Sequence, residues 1–331
     1  MQKGVEISVL VPIYNAGKYA AKCFKSLLEQ TICSNVEIVV VDDCSIDDSI
    51  RQIKDLISIS GVRDNVSFKF LSHQKNRGVA AARITALENA TGEYVIYIDG
   101  DDYIEPCFLE QLYVAAKKYD ADMVMSDVVK EYSGRTALLK SPYDADKFKM
   151  VSRIIMGNSV YFWNKLIRRE LLAGCAKVLK EGYNNSEDYA VIVQACIEAG
   201  SIAYVPEAVY HYVQYNTNSI TKNISLSHIS SWLYSVDCVS DYLNQKGLLE
   251  YTPYMNFRKL TVRYWCMMYT DGDTQKRYSR LFPEIEGNVK SLLGLAKDYN
   301  HKLMLYFVLK GNCTIFNLLK RVYKVLRIPF P

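Results

Sequence analysis

Several things are missing from these 331 residues, and each absence removes a class of function. After the first strand-like run there is no G-x-G-x-x-G, and nowhere is there a G-x-x-x-x-G-K-[ST], which argues against a dinucleotide Rossmann enzyme and a P-loop NTPase. The nine cysteines, at 23, 33, 44, 107, 175, 196, 238, 266 and 313, form no C-x-x-C pair and are odd in number. A disulfide framework or zinc site is therefore not expected, and a reducing cytoplasm fits better. No run of 18 apolar residues exists to span a bilayer, and no charged leader with an apolar core and cleavage site is visible, so no signal peptide is expected. Internal repeats and low-complexity tracts are also absent. Forty Lys and Arg against 36 Asp and Glu leave a net charge of +4, too mild to argue for nucleic acid.

What remains is half apolar and 23% charged, the composition of a soluble globular chain with a core large enough to need no disulfides. Its organising stretch is residues 92–104, an apolar strand running into three carboxylates, Asp99, Asp101 and Asp102. Crowded carboxylates raise one another's pKa unless a cation or a set of donors sits among them, which points to a divalent metal. The plain alternative is an acidic turn before the helix that follows Pro106.

In chain order, the apolar runs 7–13 and 36–41 predict buried strands of a parallel sheet, and 66–71 forms a third strand. Helical spacing covers 19–28, the segment through Ile59 that Ser45 and Asp48 would open as a capping box, and the alanine-rich 79–89. Residues 92–99 supply a fourth strand, 106–119 a helix and 122–126 a fifth strand. Strand-helix units of about thirty residues predict a doubly wound α/β half with right-handed crossovers. Residues 128–141 suit a hairpin or loop, 145–156 a helix, 160–167 a strand, 189–199 an apolar helix, and 202–205 and 208–213 short strands about Pro206. From about 225 the pattern is helical and rich in Tyr and Trp. The tail after Asp298 has six Lys or Arg and no acid, and its last helix sets Ile315, Leu319, Val322 and Leu326 on one face against Lys320, Lys324 and Arg327, a basic amphipathic helix.

The strands ending in Asp42-Asp43 and in Asp99–Asp102 are expected to be neighbours, so that both clusters open on one crevice. One carboxylate there can accept hydrogen bonds from a base or ribose, and another can hold a metal bridging two phosphates.

Val-Pro-Ile-Tyr-Asn at 11–15, Val-Asp-Asp-Cys-Ser at 41–45, Asn-Arg-Gly-Val-Ala-Ala-Ala-Arg at 76–83 and the stretch 92–102 together resemble the successive signatures of family 2 glycosyltransferases of the GT-A fold, over about the first 220 residues. The resemblance implies a doubly wound mixed α/β sheet as catalytic domain at 1–224, with a donor half at about 1–127 and an acceptor half at about 128–224, followed by a helical C-terminal region at 225–331. It also implies a nucleotide-diphosphate sugar donor, UDP-sugar favoured, inversion at the anomeric carbon, and Mn²⁺ or Mg²⁺. By position, Pro12 and Tyr14 line the base pocket, Asp43 faces the base, Asp99 sits near ribose or metal, and Asp101 ligates the metal. Asp102 turns to backbone or caps a helix. Arg83 touches the diphosphate or lies solvated on its helix.

Glu187-Asp188 resembles the family's acidic pair, with Asp188 as general base and Glu187 beside the acceptor. Inverting transfer needs one carboxylate to take the acceptor's proton, while a metal stabilises the leaving diphosphate. The alternative is a pair of acids at a helix start. Trp163, Asn164 and Lys165 match a segment near the acceptor in polysaccharide members, with core packing as the alternative. Tyr210-His211-Tyr212 and Ser219-Ile220-Thr221 resemble the closing segment. Where many relatives carry a basic residue Val213 stands, leaving Lys222 or His211 as substitutes. A nucleotidyltransferase of related fold and a non-catalytic glycan-binding protein are the competing functions. The first should show a glycine-rich basic first loop, which residues 12–17 lack; the second should have lost Asp101 or Asp188. The acceptor expected is a glycan or lipid-linked glycan, with peripheral membrane contact through the basic tail at the inner face, or a homodimer through it.

Overall fold

A computed structural model of the chain describes residues 4–216, 224–296 and 299–325. Backbone contacts divide the chain into two units, residues 1–151 with 158–222, and residues 152–157 with 223–331. The short segment 152–157 thus belongs to the helical unit, inside what the sequence suggested was the catalytic domain.

The first unit runs β1 (Ile7–Ile13), α1 (Lys18–Leu28), β2 (Val36–Asp42), α2 (Ser49–Ser60), β3 (Val66–Ser72), α3 (Val79–Glu88), β4 (Tyr94–Tyr97), β5 (Tyr103–Ile104), α4 (Phe108–Lys118), β6 (Met123–Tyr132), β7 (Arg135–Leu139), α5 (Lys147–Ile155, its last turn in the other unit), β8 (Lys165–Arg168), α6 (Arg169–Cys175), α7 (Glu187–Glu198) and β9 (Ile202–Val213). Among the described residues these strands make one sheet, in the order β3-β2-β1-β4-β8-β6-β9-β5, with β7 paired to β6. The β3-β2-β1-β4 half is parallel; β8 then enters antiparallel to both β4 and β6, so the sheet is mixed.

β1 and β2 are apolar almost throughout because helices cover both faces of the sheet: α1 lays down Ala20, Cys23, Phe24 and Leu27, and α3 presents alanines small enough for close approach. The expected capping box of α2 does not form; the Ser45 hydroxyl instead accepts the Asn15 N–H at 3.1 Å, joining two loops. The expected hairpin at 128–141 is present as β6 and β7. Of the expected strand 160–167 only 165–167 is extended with a partner, in a strand that runs on to Arg168, and the two runs about Pro206 are one strand, β9, with an irregular register against Ser126/Asp127.

One correction moves the site. β2 and β4 are not neighbours, since β1 lies between them. The chain adds β2 and β3 on one side of β1 and β4 on the other, so the sheet's switch point lies between β1 and β4, where ligands bind in open α/β sheets. Their ladder ends at Leu10 opposite Tyr97. The Leu10 carbonyl accepts the Ile98 N–H at 3.0 Å, so Pro12, two residues on, turns its hydrogen-free nitrogen to the same side, beyond the ladder, and no sheet bond is lost.

The second unit contains α8 (Leu226–Gln245), α9 (Thr252–Met268), α10 (Gly272–Tyr278), α11 (Val289–Gly294), α12 (Tyr299–Leu309) and α13 (Cys313–Val325). α9, α12 and α13 share a core of Leu260, Tyr264, Met304, Leu305, Val308 and Phe316. On α13 the face expected from spacing is divided: Phe316, Leu319 and Tyr323 pack inward, while Ile315 and Val322 point out. Leu326, Arg327, Lys222 and residues 219–221 lie outside the described residues.

Candidate active site

Three loops at the carboxyl ends of β1, β2 and β4 are stitched together by the sequence's own turn residues. The Gly17 N–H donates to Asp47 and Ser49, the Ile46 N–H to the Asn15 side chain, and the Asp43 N–H to the Ile13 carbonyl at 2.8 Å. Gly100 lets the turn after β4 settle onto the first loop; a Cβ there would lie 2.4 Å from Ile13 Cδ1 and 3.3 Å from the Pro12 carbonyl. Pro12 and a half-exposed Tyr14 therefore stand beside the acidic turn at the switch point.

The three carboxylates of that turn differ. Asp102 is buried and takes the Tyr210 hydroxyl at 2.7 Å and the Val213 N–H at 2.8 Å, so it anchors β9. Asp101 Oδ2 accepts from Asn216 at 2.8 Å, and Asp99 Oδ1 from Arg83 Nη2 at 3.0 Å, leaving one oxygen of each outside these contacts. Burial first, and Asp99 next, push the Asp101 carboxyl above its ordinary pKa, with Asn216 opposing. A buried acid raised by a like neighbour is stabilised by a divalent cation, and carboxylate oxygens are the donors that Mg²⁺ and Mn²⁺ prefer, so the residues present fit such an ion.

Arg83 is not on a solvated helix face. It is buried between Asp99 and Glu187 and ion-paired to both, with its guanidinium over the Phe162 ring at 5.3 Å; its Nε has no hydrogen-bond partner among the described residues. Burial alone would weaken its hold on the proton, but Asp99, Glu187 and Asp188 outweigh burial and keep it charged. Glu187 and Asp188 open α7, after Ser186 in left-handed backbone conformation (φ 62°). Burial and the charge of Glu187 push the Asp188 carboxyl up to about 7, while Arg83 pulls it down. A carboxyl near neutrality is suited to accepting a proton.

Other expectations are corrected. Trp163, Asn164 and Lys165 are 3, 0 and 0% exposed and present no surface to an acceptor. Trp163 stacks between Tyr161 and Tyr210 at 4.5 and 4.6 Å, and the Lys165 ammonium fastens a turn by donating to the Ser159 and Tyr161 carbonyls and to Asn164. Glu187 faces Arg83 rather than open space. His211 spends its ring nitrogens on Glu131 and Glu105, at 3.0 and 2.8 Å, and so does not replace the missing basic residue at 213. Asp43 is buried, its carboxylate held by His73 at 2.6 Å and by the Arg77 and Gly78 N–H groups at 2.9 and 2.7 Å; it shapes the 73–78 loop instead of presenting itself to a base. His73, Asn216 and Asn184, which accepts the Ala80 N–H at 3.2 Å, escaped the sequence reading. Only His73 carried a signal: one of four histidines, it follows the strand beside β2.

The pattern of glycosyl transferase family 2 matches residues 8–173, half of the chain, from β1 through the switch point to α6. The chain belongs to glycosyl transferase family 2. EpsH of Bacillus subtilis (strain 168) is 31% identical over 252 residues, covering 74% of this chain and 71% of EpsH. The cholesterol galactosyltransferase of Borreliella burgdorferi is 25% identical over 327 residues, covering 89% of this chain and 86% of that one. In three dimensions the glycosyltransferase shares the GT-A fold of S. aureus TarS 1–349, solved with UDP-GlcNAc: TM-score 0.74 at 18% identity, over 97% of this chain and 92% of TarS 1–349. No helix among the described residues is long and apolar enough to cross a membrane.

Proposed function

We propose that this glycosyltransferase moves a sugar from a UDP-sugar to a glycan hydroxyl with inversion at the anomeric carbon. The observation that carries the reading is the array Asp101-Asp99-Arg83-Glu187-Asp188, an acidic strand end joined through one buried arginine to a second acidic pair whose second member, Asp188, has its pKa near neutrality. The UDP preference is supported by the TarS complex with UDP-GlcNAc.

Pro12 and Tyr14 line the base pocket, and Asp43 fixes the loop beside it. Asp101 and Asp99 hold Mn²⁺ or Mg²⁺, which when bound stabilises the charge growing on the diphosphate leaving group. Asp188 takes the proton from the attacking hydroxyl, on the face opposite the diphosphate. No carboxylic acid has to protonate the leaving group, in contrast to glycosidases. Residues up to about 127 form the donor side and 128–224 the acceptor side. The acceptor is a surface-polysaccharide or lipid-linked glycan, met at the inner face of the membrane with the basic C-terminal helix in peripheral contact.

A panel of nucleotide sugars, scored for binding and slow hydrolysis with Mn²⁺ and with chelator, tests the reading. Binding and hydrolysis of one UDP-sugar, lost with chelator, is the expected result; no nucleotide sugar bound in Mn²⁺ contradicts it.

A further inference from the structure

α13 has more apolar surface than its own unit covers. Phe316, Leu319 and Tyr323 sink into the helical core, yet Ile315, Leu318, Val322 and Val325 stand 36, 60, 39 and 79% exposed. Their spacing, i, i+3, i+7 and i+10, places all four on one continuous strip of the helix. Single exposed aliphatic residues are ordinary on protein surfaces, but a helical strip of four is not.

Charge says what covers the strip. Residues 299–325 contain Lys302, Lys310, Lys320, Arg321 and Lys324 and no acid. Lys320 is engaged by the Met268 carbonyl and feels Asp271. Arg321 and Lys324 are exposed and carry no ion pair among the described residues; by helical spacing Arg321 borders the strip on the Val325 side, and Lys324 lies farther round on that same side, within reach of a long flexible stem. An aliphatic strip with an arginine at its border and a lysine beyond it, neither of them ion-paired among the described residues, matches the boundary between anionic headgroups and acyl chains.

We propose that the outward strip of α13 docks the protein on an anionic lipid bilayer, with Leu318, Val322 and Val325 entering the acyl boundary and Arg321 and Lys324 on the headgroups. The inference rests on the peripheral-contact part of the proposed function and gives it a surface and a lipid class. It assigns the lipid-facing residues differently from spacing alone, since Leu319 is spent on the core.

Co-sedimentation of the full chain with phosphatidylcholine vesicles, with and without phosphatidylglycerol, tests it. Binding should need phosphatidylglycerol and fall about tenfold or more in Leu318→Asp/Val325→Asp and in Arg321→Glu/Lys324→Glu. Both variants change exposed positions; unchanged circular dichroism and unchanged UDP-sugar hydrolysis in solution show that the fold and the transferase reading stand apart from this result. Equal sedimentation on both vesicles, or variants binding as the parent does, overturns the proposal. So does a lipid-free dimer that Leu318→Asp/Val325→Asp dissociates, because a second copy would then cover the strip.

Discussion

Arg83 and Glu187, 104 positions apart in sequence, form a buried ion pair between α3 and the first turn of α7. Because the same guanidinium also holds Asp99, one cation sets the spacing and the charge balance of both acidic clusters. Arg83→Met leaves buried carboxylates without their counter-charge, and breaking such a pair costs about 3–5 kcal/mol. Arg83→Lys restores charge but not the two-pronged geometry. Thermal unfolding should rank wild type above Lys above Met. The pH–rate profile adds a readout that stability alone would not move. Asp188 acts ionised, so activity should rise as pH passes through about 7 and level off above it. Arg83 lowers that pKa, so in either variant that retains activity the rise should not move to lower pH, and in Arg83→Met it should move higher.

The neighbours Asp101 and Asp102 should separate cleanly. Asp101→Ala should weaken Mn²⁺-dependent UDP-sugar binding by about tenfold or more, with little change in melting temperature. Asp102→Ala strands the Tyr210 hydroxyl and the Val213 N–H, costing about 1–3 kcal/mol for each unsatisfied group, and should lower the melting temperature while leaving the Mn²⁺ requirement in place. Titration calorimetry and thermal melts on the two variants decide the assignment.

Lys165 is a structural cation with no carboxylate in hydrogen-bond contact among the described residues, and burial pushes its ammonium down to about 8. Lys165→Met should destabilise the fold by about 2 kcal/mol through the lost bonds to Ser159, Tyr161 and Asn164. The KM for acceptor, measured at a temperature where the variant remains folded, should stay unchanged. A selective rise in acceptor KM would return Lys165 to the acceptor site.

The parallel half of the fold is legible in the sequence because strands buried on both faces, such as 7–13 and 36–42, read as runs that are apolar at nearly every position. The acidic turn is legible because three aspartates within four positions have few structural excuses. Strand order is not written locally: β1 comes between β2 and β4 only because the chain reverses direction along the sheet after β3. The acceptor segment misled for a physical reason. Trp, Asn and Lys in a row look like sugar-binding chemistry, and nothing in their order shows that Trp163 stacks on Tyr210 or that Lys165 reaches back to Ser159. Arg83 was ambiguous for the opposite reason, since its two partners lie 16 and 104 residues away.

Asp188, as the proton acceptor, is the residue on which transfer depends most. Asp188→Asn keeps the shape of α7's first turn and removes the basic group, so its UDP-sugar affinity in Mn²⁺ and its transfer rate should be measured on the same preparation. Donor affinity within about twofold of wild type, with transfer reduced about 10²–10⁴-fold at every pH, is the predicted result. Transfer at the wild-type rate with the same rise through neutral pH contradicts the account, because the group titrating near 7 would then lie elsewhere.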